Sequence, residues 1–214
     1  GQENYRFHDH DKLAHYADAA CDIEFKFPFG FKELEGIHSR TDFDLGNHEK
    51  FSGKKLQYFD PEKNINITPF VLETSIGLDR MFLAVFSNAL QEETLDNNTT
   101  RVVLKIPPFL APTKVAILPL VKKDGLPALA NEIVDQLKWD FTINYDEKDA
   151  LGRRYRRQDA LGTPFCITVD HQSLEDNTVT LRNRDSMKQE RVAISALKTI
   201  LVDKVSITTL LKKL

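Results

Sequence analysis

The 214-residue sequence has little of several features that would restrict its function at once. Its two cysteines, Cys21 and Cys166, match no metal-binding or redox spacing, so the sequence predicts reduced thiols and no disulfide framework. No apolar run approaches the roughly 20 residues that a membrane helix needs. Positive charge is not in excess, because 29 Lys and Arg residues stand against 32 Asp and Glu residues. These absences exclude a disulfide-stapled scaffold, a membrane-spanning protein and a globally basic nucleic-acid binder, and we expect a soluble, cytoplasmic protein.

A change of pattern near the middle of the chain predicts two domains. Prolines at positions 107, 108 and 112 fall within thirteen residues and cannot lie in a regular helix or a central strand. We therefore expect the connection there, with one domain at residues 1–110 and a second at residues 111–214.

Hydrophobic periodicity predicts the elements of the first domain. Apolar residues at helical spacing predict a helix over 11–22, and strict alternation predicts a strand over 23–29. Further strands are expected at 56–60 and 64–73, and an amphipathic helix at 78–93. On pattern alone, the charged segment 31–45 favours a solvated loop with local salt bridges over a site of clustered acids.

The second domain shows a regular alternation of strands and helices. We predict strands at 115–121, 141–146, 164–170 and 178–184, and helices at 127–139, 150–162 and 190–205. Such a series indicates an α/β layer structure around a sheet of mixed direction.

Residues 73–80, ETSIGLDR, place an acid, a hydroxyl, a glycine and an arginine at the start of the helix predicted from Leu78. A helix N-terminus offers unpaired N–H groups and partial positive charge, which suits a phosphate. Gly77 permits close approach, and Arg80 adds a planar cation for phosphate oxygens. Glu73 has the opposite sign and suits an ammonium group. A glycine turn between a strand and a helix is also common, so a purely structural role remains the alternative.

The segment GRRYRR, residues 152–157, is the densest cluster of positive charge in the chain. At helical spacing, Arg153, Arg156 and Arg157 share one face, and such a face can bind RNA phosphates while Tyr155 stacks on a base. The alternative is a helix whose arginines pair with nearby acids at positions 146, 147, 149 and 159.

Two segments together carry a resemblance to a known family. GFKELEGIHSRTDFDL (30–45) followed by TPFVLETSIGLDR (68–80) resembles the catalytic domain of dimeric class II glycyl-tRNA synthetases. Further similarity lies in KLAHYADAACDIEF (12–25), VVLKIPPFLAPTKVAILPL (102–120) and GRRYRRQDALGTPFCITVD (152–170). The resemblance implies a partial class II antiparallel-sheet catalytic domain of α+β type, followed by a mixed-sheet α/β anticodon-binding domain.

The resemblance also implies roles for individual residues. Residues 73–80 are similar to the third class II motif, so Arg80 and Glu73 are the implied catalytic residues, with Arg80 reaching the ATP phosphates. The implied ATP-binding residues are Glu33, Leu34, Gly77, Leu78, Asp79 and Arg80, and the implied glycine-binding residues are Glu73, Thr74, Ser75, Ile76 and Gly77. Glu35 and Arg40 are further candidates for the same pocket. No residue is assigned as a ligand of a resident metal.

The function that the resemblance implies is that of a glycine–tRNA ligase. It would use ATP with Mg²⁺ to form glycyl-adenylate and transfer glycine to tRNA(Gly), and the full-length protein would be a homodimer. Class II motifs 1 and 2 are not found in this sequence, which is similar to the C-terminal portion of the family, so we expect the 214-residue chain not to activate glycine by itself. The alternatives are a non-catalytic, synthetase-like nucleic-acid-binding protein or accessory subunit, or a piece that folds and binds tRNA weakly.

Overall fold

The computed structural model describes residues 2–95 and 98–212 and consists of two compact units, Gly1–Ser87 and Asn88–Leu214. The boundary lies upstream of the proline-containing segment at which the sequence placed the connection. Over the described ranges, no helix has both the length and the apolar character needed to span a membrane.

A four-stranded antiparallel sheet forms the base of the first unit. Its strands, in order across the sheet, are β1 (Tyr5–Asp9), β2 (Ala19–Phe27), β3 (Gly30–Ser39) and β6 (Leu72–Ile76). The segment between β3 and β6 contains helix α1 (Phe43–Ser52) and the small hairpin of β4 (Tyr58–Asp60) and β5 (Ile65–Ile67). Helix α2 (Leu78–Ala89) follows β6 directly, and the division between the units falls in its last turn.

The structure confirms some predicted elements of this unit and corrects others. The strand predicted over 23–29 and the helix predicted from Leu78 are confirmed, although β2 runs from Ala19 to Phe27 and α2 ends at Ala89. The helix predicted over 11–22 is wrong, because Ala19 and the residues after it pair with β3 and the preceding residues form turns. The loop predicted from residue 31 is also wrong, since residues 30–39 form β3 between two partner strands.

The two faces of the first sheet differ in character. Phe25 and Phe27 of β2 pack with Leu34 and with Ala84 of α2 in a small buried core. Because side chains alternate along a strand, Asp22 and Glu24 of β2 point to the opposite face. The unit therefore has one apolar face covered by α2 and one polar face.

A five-stranded mixed sheet forms the centre of the second unit. Its order is β10 (Ile143–Tyr145), β9 (Val115–Pro119), β11 (Phe165–Val169), β12 (Thr178–Asn183) and β13 (Gln189–Ala193). The first three strands run parallel to one another, and the last three pair antiparallel. The helices are α3 (Leu126–Leu137), α4 (Leu151–Leu161), α5 (His171–Asp176), α6 (Leu197–Val205) and α7 (Ile207–Leu211). The structure confirms the predicted mixed-sheet α/β class, and it divides the predicted helix over 190–205 into β13 and α6.

Helices cover both faces of this second sheet. On one face, Val115 and Ile117 of β9 pack with Ile133 of α3 and Leu201 of α6, and all four side chains are fully buried. On the other face, Ala116 and Leu118 pack with Cys166 against α4. The alternation of β9 residues between two cores explains why its sequence reads as a continuous apolar run. Burial raises the pKa of the Cys166 thiol to about 12, so this cysteine is a structural residue.

A hairpin of β7 (Leu90–Thr94) and β8 (Thr100–Leu104) precedes the mixed sheet and belongs to the same unit. β8 packs on α4, and Val103 and Leu104 are buried. Gly162, which ends α4 with a φ of 81°, makes this approach possible, because a Cβ there would lie 3.0 Å from Leu104. This packing is the physical reason why the second unit begins before the prolines.

The Asp170–Arg191 pair gives a first prediction, on acid stability. Asp170 caps α5 and receives two hydrogen bonds from Arg191, at 2.6 and 2.9 Å, which hold the pKa of its carboxyl below the usual range. The stabilisation is present above the unfolded pKa of about 3.9 and is lost as pH falls through the lower folded value. We expect Asp170→Asn to lower the free energy of unfolding by about 1–2 kcal/mol at pH 7. Urea denaturation of both proteins from pH 7 to 3 should show the difference shrinking below pH 4; a constant difference would contradict this assignment.

Candidate functional site

The polar face of the first sheet brings together residues that are distant in sequence. Across the β3–β6 ladder, His38 lies opposite Glu73 and Gly36 lies opposite Ser75. Asp22 lies opposite Gly36 on the other side. Paired residues share a face, so Glu73 and Ser75 of the predicted glycine site flank a glycine on the central strand.

Glu73 is held by an arginine. Arg40 Nη1 donates to Glu73 Oε2 at 2.6 Å, while its Nε and Nη2 donate to the two oxygens of Asp44 at 2.6 and 3.0 Å. The guanidinium also lies 4.0 Å from the centroid of the Tyr16 ring. The hydrogen bonds to Asp44 and Glu73 raise the pKa of Arg40, and Arg40 in turn lowers the pKa of Asp44. Glu73 therefore belongs to a fixed network of alternating charge.

Arg80 has a different partner. Its Nη1 donates to the backbone oxygen of Glu33 and, at 3.2 Å, to Glu33 Oε2. Both side chains are about half exposed. A bulge in β3 places Glu33 opposite Glu24, so Glu33 lies on the polar face with Asp22. The structure thus brings Arg80 to Glu33, and Glu73 to Arg40, in two separate ion pairs.

The other residues predicted for this site lie around these pairs. Six of them are exposed along the end of β6 and the first turn of α2, namely Thr74, Ser75, Ile76, Gly77, Leu78 and Asp79. Leu34 is buried in the core, so only its backbone faces outward, and Glu35 is partly buried opposite Ile76. Within residues 2–95 and 98–212, no group of three or more His, Cys, Asp or Glu side chains is placed to hold a metal ion.

The arginines of α4 divide into two pairs. Arg154 is buried and donates to the backbone oxygens of Pro119 and Leu120. Arg157 donates to Asp146 at 3.0 and 2.8 Å and to Asp149 at 3.3 Å. Its bond to Asp146 raises the pKa of Arg157. These two arginines therefore follow the structural alternative, in which the helix pairs with nearby acids and backbone.

Arg153 and Arg156 differ from them, because neither guanidinium has a hydrogen-bond or ion-pair partner in the part of the chain that the structure describes. Both line an open concavity of about 530 Å³ with Tyr155, Arg182, Met187 and Gln189. The Arg182 guanidinium lies 4.7 Å from the centroid of the Tyr155 ring, whose hydroxyl shares a 2.6 Å hydrogen bond with Thr168. Positive charge and an aromatic ring are thus combined in one hollow.

Sequence reasoning missed Arg182 as a member of this site. Arg182 lies in β12, within a segment whose pattern predicts only a strand. A signal was present, because arginines stand at position 182 in β12 and at position 184 just after it, in a segment that is otherwise suited to burial, and both are nearly fully buried. Buried arginines require partners, so a strand of this kind indicates a polar network.

Comparison with known proteins shows which family and which relatives this chain is similar to. Residues 114–204 match the anticodon binding domain family. The glycine–tRNA ligase of Chlorobaculum tepidum is 50% identical over 203 residues, covering 95% of this chain and 43% of that protein. The glycine–tRNA ligase of Borrelia hermsii is 52% identical over 199 residues, covering 91% of this chain and 45% of that protein. The chain thus spans less than half the length of the curated relatives that it matches.

A solved structure supports the fold. The RNA binding domain of threonyl-tRNA synthetase from Cryptosporidium parvum superposes with a TM-score of 0.63 at 18% identity, covering 89% of this chain and 44% of that one. At this identity the similarity concerns the fold alone. The relatives and the family match confirm the resemblance read from the motifs: the chain is similar to glycine–tRNA ligases over nearly its whole length and corresponds to the C-terminal portion of a glycyl-tRNA synthetase, with the anticodon binding domain match at residues 114–204.

Proposed function

We propose that the chain supplies two parts of a glycine–tRNA ligase that acts in the cytoplasm as a homodimer. The first unit contributes residues for ATP-dependent activation of glycine to glycyl-adenylate, and the second binds the anticodon of tRNA(Gly). Mg²⁺ enters with ATP as part of the substrate. The observation that carries the proposal is the concavity beside α4, where two arginines that have no partner among the described residues lie in the matched anticodon binding domain.

The polar face of the first sheet has the charges that adenylate formation needs. The glycine ammonium requires a fixed carboxylate, and Glu73, oriented by Arg40, can accept it with Ser75 beside it. ATP phosphates require a cation, and Arg80 at the start of α2 can exchange its contact with Glu33 for phosphate oxygens. Each of the two ion pairs thus provides one residue of the required sign.

Selection of glycine depends on the absence of space, because the substrate has no side chain to recognise. Gly36 lies opposite Ser75 on the central strand, and a Cβ added there would lie 3.2 Å from His38. The face is therefore closely packed beneath the predicted binding position. A substrate with a larger side chain would meet this wall.

The concavity in the second unit suits single-stranded RNA. Proteins bind unpaired nucleotides by combining cations for the phosphates with flat side chains on which bases stack. Arg153 and Arg156 provide the first, and Tyr155, against whose ring the buried Arg182 packs, provides the second. The anticodon loop is the part of a tRNA that presents unpaired bases in this way.

Replacing Arg153 and Arg156 with alanine is expected to weaken binding of a tRNA(Gly) transcript by about tenfold or more at low salt, because two cations are removed from the RNA surface. The slope of log K against log salt should fall by roughly 0.7 for each lost phosphate contact. Fluorescence anisotropy at several salt concentrations measures both quantities. A transcript with a substituted anticodon should bind the wild-type chain more weakly than tRNA(Gly).

Lys198→Ala is the matched control for this experiment. Lys198 is an exposed cation of α6, paired at 2.7 Å with Asp140, and is not among the residues that line the concavity. The control should leave affinity and salt slope close to those of wild type. If the double arginine variant binds as tightly as this control, the concavity is not the RNA site.

A further inference from the structure

A buried carboxylate connects the concavity to the β7–β8 hairpin. The Asp159 side chain is fully buried and accepts hydrogen bonds from two arginines. Arg182 donates from Nη1 to Oδ1 at 2.7 Å and from Nη2 to Oδ2 at 2.9 Å, and Arg101 Nη1 donates to the same Oδ2 at 3.0 Å. One carboxylate thus joins a residue of the RNA concavity to a residue of β8.

Arg101 is held in place from every side. Its Nε donates to Glu93 at 2.6 Å, and its amino groups donate to the backbone oxygens of Arg184 and Asp185 at 2.9 and 3.3 Å. Its side chain is only 1% exposed, so it cannot touch RNA itself. Hydrogen bonds from Lys105 and Arg101 lower the pKa of Glu93, which therefore stays ionised near neutral pH. The position of Arg101 is fixed by the hairpin and by the turn after β12.

Arg182 is the member of this network that reaches the concavity. Its guanidinium packs on Tyr155, and its two bonds to Asp159 use two of its five N–H groups. If Asp159 paired only with Arg182, its negative charge would neutralise the positive charge of Arg182. Because Arg101 shares the same carboxylate oxygen, the linked group of Arg101, Arg182 and Lys105 faces two carboxylates, Asp159 and Glu93, and one positive charge of the network stays uncompensated.

We propose that Arg101 is a positioning residue for RNA binding, acting through Asp159 to set the orientation and the effective charge of Arg182. This inference rests on the proposed function of the concavity and extends it to a residue outside the segment that matches the anticodon binding domain. If so, the affinity for RNA depends on Arg101 of the β7–β8 hairpin, although the Arg101 side chain does not itself contact RNA.

A double-mutant cycle tests this role in the 214-residue chain, with a tRNA(Gly) transcript as the probe. We expect Arg101→Met and Arg182→Met each to weaken binding by about tenfold, and the double variant to be no weaker than Arg182→Met, since Arg101 acts only through Arg182. Arg101→Lys, which keeps the charge but lacks the planar fork, should fall between wild type and Arg101→Met. Thermal melts establish a temperature at which every variant is folded, and binding is measured there.

Arg184→Met is the matched control. Arg184 is equally buried and holds the same region through the backbone oxygens of Gly162 and Ile106, but its side chain does not contact Asp159. It should lose stability and keep its affinity for tRNA. Equal loss of affinity in this control, additive losses in the cycle, or wild-type affinity in both Arg101 variants would overturn the proposal. Failure of the wild-type chain to bind tRNA would instead refute the proposed function itself.

Discussion

Asp159→Asn is expected to lower the free energy of unfolding of the second unit by about 3–5 kcal/mol, the loss typical when one side of a buried ion pair is removed. Asparagine has nearly the same size, so the change leaves no cavity. It does leave Arg101 and Arg182 in the interior without their carboxylate, and its NH₂ group faces cationic donors. Two desolvated charges then remain with incomplete partners. Urea denaturation followed by circular dichroism measures the loss.

Asp135→Asn is the control for that measurement. Asp135 pairs with Lys138 on the exposed side of α3, with its side chain 68% exposed. Exposed pairs contribute little, so its unfolding curve should differ from wild type by no more than about 0.5 kcal/mol. If Asp159→Asn proved as mild as this control, the buried network would not be the anchor of the hairpin.

The second large effect concerns glycine activation. A chimaera in which this chain replaces the matching portion of the Chlorobaculum tepidum glycine–tRNA ligase allows the first unit to be assayed by glycine-dependent pyrophosphate exchange. We expect Arg80→Ala to lower the exchange rate by about 10²–10³-fold, because a cation that stabilises charge on the reacting phosphates contributes on that scale. Glu73→Gln should mainly weaken the use of glycine, since it removes the negative charge that faces the ammonium group.

Two further variants, a conservative substitution and a control, show whether the effect is specific to Arg80. Arg80→Lys keeps the charge but cannot grip two oxygens in one plane, so partial activity is expected. Lys63→Ala removes an exposed cation of the same unit, paired weakly at 3.8 Å with Asp60, and should have no effect. An inactive wild-type chimaera, together with intact tRNA binding by the chain, would favour the non-catalytic, synthetase-like alternative.

Sequence periodicity predicted well the elements whose burial pattern is evident within one short segment, on one side for the helix from Leu78 and on both sides for β9. The helix from Leu78 repeats apolar residues every three to four positions, and β9 is a short apolar run between turn signals, so both were evident. In β3, by contrast, the side chains of Glu33, Glu35 and His38 are exposed or only partly buried, and their polar character hid a ten-residue inner strand. The failed helix at 11–22 shows the same limit, because the pairing of Ala19–Cys21 with β3 decides the local structure.

The residues of the candidate sites could be predicted where they stand together in one sequence motif. They could not be predicted where residues that are distant in sequence meet in the fold. Residues 73–80 and the arginines of α4 stand out in the sequence by their chemistry. The partners Arg40 and Glu73 are separated by 33 positions, and Arg101 and Asp159 by 58, so only the fold brings them together. The α4 cluster also divides in a way that composition does not reveal, since only the structure shows that Asp146 binds Arg157 while the Arg153 guanidinium has no partner within residues 2–95 and 98–212.

The packing of the hairpin has a consequence for how this protein is divided into pieces. The segment that matches the anticodon binding domain family begins at residue 114. The side chains that fill the space beside Gly162 and Asp159, however, come from residues 101–106. A shorter polypeptide starting at residue 114 would uncover Gly162 at the end of α4 and would remove the hydrogen bond that Arg101 donates to the buried Asp159 carboxylate. We therefore expect the smallest stable piece to be longer than the segment that matches the anticodon binding domain family.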